Sequence, residues 1–238
     1  MRIAFSGTGN SGKTTTVKSF LYTWDNYITP KKTYRDLLEE DNLQHSKDTT
    51  TDTQSTILNF MVKMQEENKD ESYIVYDRCP LDNIAYTLWS HEKGVEGFTK
   101  QFCADQIAIM RESMKHLDII FLCRFDETQQ IGEETDKDYI KEIDNIFHSL
   151  YTQYTDNAES DIFFPKSDTP CILPVPDNAQ KRIDLISEYV TEEGDMFGDE
   201  DSVLNSENLK ELESLVYQQK TEADRESHLK DLNKKFGI

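Results

Sequence analysis

The chain has 238 residues, 46 of them acidic against 26 basic, for a formal charge of −20. Such a field repels nucleic acid and anionic membrane, which disfavours a polynucleotide partner unless a local basic groove survives. No apolar run approaches the roughly 20 residues of a membrane span, so no membrane association is expected, and the length suits one α/β domain with a small appendage.

The first element is a strand-like run at Arg2-Ile3-Ala4-Phe5-Ser6. Because it starts next to Met1, no signal peptide or fused N-terminal domain is expected, and the reading is a cytoplasmic protein. Gly7-Thr8-Gly9-Asn10-Ser11-Gly12-Lys13-Thr14 follows, a full G-x-x-x-x-G-K-[ST] loop, and then a helical run from about Gly12 to Trp24. Strand, glycine-rich loop and helix together make a phosphate cradle. The glycines let successive N–H groups face the anion, and the helix adds its positive end. Lys13 is expected to reach the β- and γ-phosphates of ATP, with Thr14 as a Mg²⁺ ligand and Thr15 beside it in the nucleotide site.

Further along, 27–30 reads as a short second strand and 33–40 as a polar loop or short helix. Residues 41–54 are rich in Thr, Asp, Ser and Gln and read as loop. Apolar spacing predicts a helix over about 53–67, then a strand at 73–76 that ends in Asp77-Arg78, with Pro80 as a breaker. Helices are predicted near 81–90 and 98–115, a buried strand at 119–123, a helix over 139–154, a last strand at 171–175 and a closing helix over 179–190. This alternation predicts an α/β P-loop three-layer sandwich on a parallel sheet of about five strands, with ligand at the carboxyl ends of the strands. Asp77 lies at such an end, where P-loop enzymes place a carboxylate for Mg²⁺ or for the attacking group, and Arg78 could neutralise phosphate charge. Cys79, Cys103, Cys123 and Cys171 have no paired spacing and read as reduced thiols.

Asp77-Arg78-Cys79-Pro80-Leu81-Asp82-Asn83-Ile84-Ala85-Tyr86 resembles the D/E-R-x-x-x-D/S-x-x-A-Y segment of P-loop nucleoside and nucleotide kinases. That group includes thymidylate kinases, deoxynucleoside kinases and the ribosylnicotinamide kinase domain. Asp177 to Ile183 is similar to its adenine-cradling loop, and Thr33 to Leu38 more loosely resembles its acceptor-facing segment. The resemblance covers about residues 1–190 and implies a kinase domain there. It implies that Asp77 holds Mg²⁺ or acts as base and that Arg78 contacts the acceptor or the transferred phosphoryl group. It also implies a nucleotide-side Arg182, and Arg35, Asp36, Gln54 and Asp82 on the substrate side, with Glu39 as an alternative to Asp36.

One departure concerns the lid after the 119–123 strand. The group carries arginines there, whereas this chain has Asp126, Glu127, Glu133, Glu134, Asp136 and Asp138, with only Arg124 and Lys137 to supply catalytic charge. Residues 191–202 read as an acidic linker, and Leu204 to Val216 as an amphipathic helix that packs on its own domain or makes a homodimer contact. Three readings remain open. They are a small-molecule phosphotransferase for a nucleoside, nucleotide or ribosyl compound, a kinase of modified bases such as 5-hydroxymethyluracil or of chain ends in polynucleotides, and a non-catalytic nucleotide-binding module. No guanine-reading N-K-x-D signature favours a switch GTPase.

Overall fold

A computed structural model describes residues 1–40, 46–125, 136–155, 162–165, 167–176 and 178–196. Four parallel strands, β1 (Arg2–Ser6), β2 (Ile74–Asp77), β3 (Ile119–Cys123) and β4 (Cys171–Val175), form one sheet in the order β2-β1-β3-β4. The phosphate-loop strand β1 is therefore interior, paired with β2 on one side and β3 on the other.

Strand residues alternate strictly between two apolar layers, as the two-residue period of a strand requires. Ile3, Phe5, Val75, Ile119, Phe121 and Cys123 face one layer, where Phe20 of α1 (Lys13–Thr23) and Trp24 just after it meet Ile183 and Ile186 of α7 (Ala179–Ile186). Ala4, Ile74, Tyr76, Ile120 and Leu122 face the other. That side is covered by α3 (Thr51–Glu67), α4 (Pro80–Glu92), α5 (Lys100–Ser113) and α6 (Lys137–Thr155) through Leu58, Ile84, Met110 and Phe147. A short helix α2 (Tyr34–Glu40) packs Leu37 and Leu38 against Ile57 and Met61 of α3.

Several boundaries differ from expectation for local chemical reasons. The 27–30 strand reduces to a single parallel bridge from Ile28 to Ile74, with Ile28 N–H donating to Tyr73 O and Val75 N–H to Ile28 O. Pro30 has no N–H with which to continue that ladder. Helix α3 starts within the expected loop because Thr50 caps it, its side chain accepting from Thr53 N–H at 3.2 Å. Pro80 opens α4 at its first turn instead of merely ending β2. The closing helix stops at Ile186, four residues early. Pro174 lies within the edge strand β4, opposite Leu122.

Residues 191–196, expected as the start of a linker, lie against the domain. Trp24 Nε1 donates to Thr191 O, Tyr27 Oη to Gly194 O and Tyr73 Oη to Asp195 Oδ1, at 2.7, 2.7 and 2.9 Å. The expected helix over 204–216 lies outside the described residues. All four thiols are free. Among the described residues, no helix is long and apolar enough to cross a membrane.

The close approach of the phosphate loop to β3 sets the first prediction. Gly7 has φ +139°, and a Cβ there would collide with the Cys123 carbonyl. Gly7→Ala is expected to lower Tm by about 5 °C or more, through backbone strain and overpacking. A thermal melt followed by circular dichroism checks this.

Candidate active site

The phosphate loop turns off β1 through three positive-φ residues, Gly7 (+139°), Asn10 (+58°) and Gly12 (+76°), and Gly12 caps α1. The site is organised by Asp82 in the first turn of α4, which is 1% exposed. Its carboxylate accepts from Ser6 Oγ at 2.7 Å, Gly7 N–H at 3.2 Å, Cys79 N–H at 3.1 Å and Arg78 Nη1 at 2.9 Å. One buried charge thus joins the end of β1, the loop and the start of α4. Its hydrogen bonds are used in positioning, although Asp82 also lines the cleft.

Arg78 sits in a left-handed backbone conformation, φ +87°. Its guanidinium donates to Gly7 O at 3.3 Å and lies 5.1 Å from the Tyr34 ring and 5.7 Å from the Tyr86 ring. A buried cation is tolerable here because Asp82 and two aromatic faces replace part of its hydration.

Lys13 is buried, its Nζ donating to Thr8 O and, at 3.1 Å, to Ser11 Oγ. Burial, reinforced by the Arg78 charge, pushes its ammonium down to about 7. Thr14 Oγ1 donates to Asp77 Oδ2 at 2.6 Å. Arg35, from α2, places Nη1 3.3 Å from Thr14 Oγ1 and 3.4 Å from Asp77 Oδ2. Asp77 Oδ1 is buried without a partner. A hydroxyl and a carboxylate with a spare oxygen are hard donors that suit Mg²⁺, which fills its remaining positions with phosphate oxygens and water. Among the described residues, no cluster of three His, Cys, Asp or Glu side chains is placed to hold a metal without such help.

Beside the loop opens a cleft of about 730 Å³. It runs along Thr8 to Thr15 and past Arg78 into a chamber walled by Tyr34, Leu38, Ile57 and Met61. Gln54 lies in that chamber, its Nε2 donating to Thr49 Oγ1 at 3.1 Å and its Oε1 accepting from Asn83 Nδ2 at 2.5 Å. Asn83 Oδ1 is buried and has no partner.

The remaining sequence candidates fall elsewhere. Asp36 accepts from Thr33 N–H and Oγ1 at 2.6 and 2.8 Å, and neither it nor Glu39 lines the cleft. Arg182 is buried behind α1, donating to Thr16 Oγ1 at 3.0 Å and to Pro176 O, away from the cleft lining. Arg124 follows β3, but Asp144 of α6 holds its guanidinium at 2.7–2.8 Å, with His148 Nδ1 at 3.2 Å. Lys137 is exposed at the start of α6, and neither cation lines the cleft. The lid residues 126–135 and Asp177 lie outside the described residues.

Sequence reasoning missed Tyr34, Asn83, Tyr86, Lys47 and Asp48 as cleft residues. Tyr86 follows Asp82 by four positions and Asn83 by three on the same helix, a spacing that groups it with both on one side. Lys47 and Asp48 fall in a short 3₁₀ turn within a polar stretch that carries no periodic signal.

A family profile described as AAA domain matches residues 2–158. No curated protein sequence matches the chain. Among solved structures, deoxyadenosine kinase from M. mycoides with bound dATP is similar at 18% identity and a TM-score of 0.55, over 79% of this chain and 97% of that one. The NadR protein in complex with NR is similar at 14% identity and a TM-score of 0.55, over 79% of this chain and 51% of that one. These likenesses establish the fold.

The lowered Lys13 ammonium gives a pH signature. Unfolded, Lys13 holds its proton to about pH 10.4, whereas folded it releases it near pH 7. The unfolded chain then binds more protons, so this group makes stability rise with pH, on the order of 1 kcal/mol per unit between about pH 7 and 8.5. Denaturant titrations of wild type and Lys13→Met at these two pH values should show a larger rise in the wild type, since the Met1 ammonium, also lowered by burial, contributes equally to both.

Proposed function

The chain belongs to the AAA-domain family, and from that premise we propose that it is an ATP-dependent phosphotransferase acting on a nucleoside, a nucleotide or a related ribosyl compound. The observation that carries this reading is the continuity of one cleft from the phosphate loop to the Gln54–Asn83 chamber. Its volume of about 730 Å³ is of the size that a donor phosphate chain and a nucleoside-sized acceptor require. The deoxyadenosine kinase binds dATP and NadR binds NR, and both are compatible with an acceptor of that size.

In this reading the loop N–H groups and the start of α1 receive phosphate oxygens. Lys13 exchanges its internal partners Thr8 O and Ser11 Oγ for the β- and γ-phosphates. An incoming polyanion restores the protonated ammonium that burial opposes, so Lys13 acts as a charged clamp. Arg78, fixed by Asp82, contributes positive charge at the junction of donor and acceptor. Thr14 and Asp77 would hold Mg²⁺, which when bound would supply neutralisation of phosphate charge.

At the acceptor end, Tyr34, Leu38, Ile57 and Met61 offer apolar flanks to a base or sugar. Asn83 lines the cleft, and its Oδ1, without an internal partner, is left as an acceptor for a ring N–H or amino group. The formal charge of −20 favours such a small acceptor over a polynucleotide.

The test is a phosphoryl-transfer assay with ATP and Mg²⁺ against a panel of nucleosides, nucleoside monophosphates and ribosylnicotinamide. At least one acceptor should be phosphorylated and should raise Tm by mass action. With that acceptor, Lys13→Ala is expected to lower kcat at least about 100-fold while the circular dichroism spectrum stays native. Turnover equal to wild type in Lys13→Ala would remove this loop from the chemistry.

A further inference from the structure

Arg35 occupies an unusual place. Its guanidinium does not merely approach the acceptor chamber. Nη1 lies within 3.4 Å of both groups suited to a divalent cation, Thr14 Oγ1 and Asp77 Oδ2. Thr14 and Arg35 line the cleft, whereas Asp77 lies behind them with its side chain 12% exposed. A cation that enters from the cleft toward Asp77 therefore meets a positive charge already seated there.

Resting on the phosphotransferase reading above, we propose that Arg35 is the resident counter-cation of the Thr14–Asp77 pair, released from Asp77 along the cleft wall when a divalent cation takes its place. Three observations support it. Asp77 is largely buried and keeps one oxygen unpaired, so an isolated carboxylate there would lack compensation in the metal-free protein. The Arg35 side chain is 48% exposed on a short surface helix, so it can leave without disturbing the core. Its ion pair with Asp77 is one long contact of 3.4 Å and not bidentate, the geometry of a pair that exchanges readily.

Displacement has a second effect. Arg124 is committed to Asp144, and neither it nor Lys137 lines the cleft. A released Arg35 leaves its positive charge unpaired on the cleft lining, which also holds Arg78. Metal occupancy and the delivery of that charge become one event.

The test uses Mn²⁺ as the probe, titrated into the full chain at low ionic strength and followed by electron paramagnetic resonance of free Mn²⁺, first without nucleotide and then with ADP. Arg35→Gln removes the competitor and is expected to tighten Mn²⁺ binding about two- to fivefold, the range an exposed ion pair can contribute. Arg35→Lys keeps a cation and should stay within twofold of wild type, and 0.5 M NaCl should shrink the difference between wild type and Arg35→Gln. Equal or weaker Mn²⁺ binding in Arg35→Gln overturns the Arg35 proposal and leaves the phosphotransferase reading standing. Binding that survives unchanged in Thr14→Val/Asp77→Asn, or no binding to any form, overturns the metal assignment on which both rest.

Discussion

The Asp82 carboxylate is the constraint on which the site depends. It is a buried charge with four donors, drawn from β1, the phosphate loop, Arg78 and the first turn of α4. Removing one partner of such a set leaves an uncompensated charge, which is far more costly than the set is stabilising. The arrangement therefore holds loop, strand end and helix in one geometry. Arg78 can adopt φ +87° without glycine because its guanidinium is anchored on this carboxylate and between two tyrosine rings.

This frame places cations and carboxylates in compensated pairs around the cleft. Arg78 is set against Asp82, Arg35 against Asp77, and Lys47 against Asp136 across the cleft mouth. The cleft is thus nearly neutral within a strongly acidic chain, and positive charge becomes available to an anion when a pair opens. The pairs differ in burial. Arg78–Asp82 is sealed, whereas Arg35 and Lys47 are nearly half exposed. Coulomb energy at equal distance falls steeply with exposure, so the inner pair stays closed while the outer two can exchange partners.

Legibility in the sequence followed the range of the interactions. The phosphate loop, β2 ending at Asp77 and the buried β3 were readable because each is a contiguous run whose chemistry is local. The burial of Arg182 beside Thr16 is a tertiary outcome, because a helical arginine carries no mark of which way it packs. Asp144 capturing Arg124 depends on α6 crossing the end of β3, twenty positions later in the chain. The Thr50 cap was local but hidden in a stretch whose composition reads as loop. The pairing of Gln54 with Asn83 joins two helices and left no sequence signal.

The two margins of the sheet are closed to growth in different ways. At the β2 margin, Ile28 takes the place of a neighbour for one residue before Pro30 interrupts the ladder. At the β4 margin, Pro174 removes a donor from the row of amides that an incoming strand would need. Short or proline-bearing edges are a common defence against intermolecular β-pairing. Among the described residues, both margins thus discourage strand addition between copies of this protein.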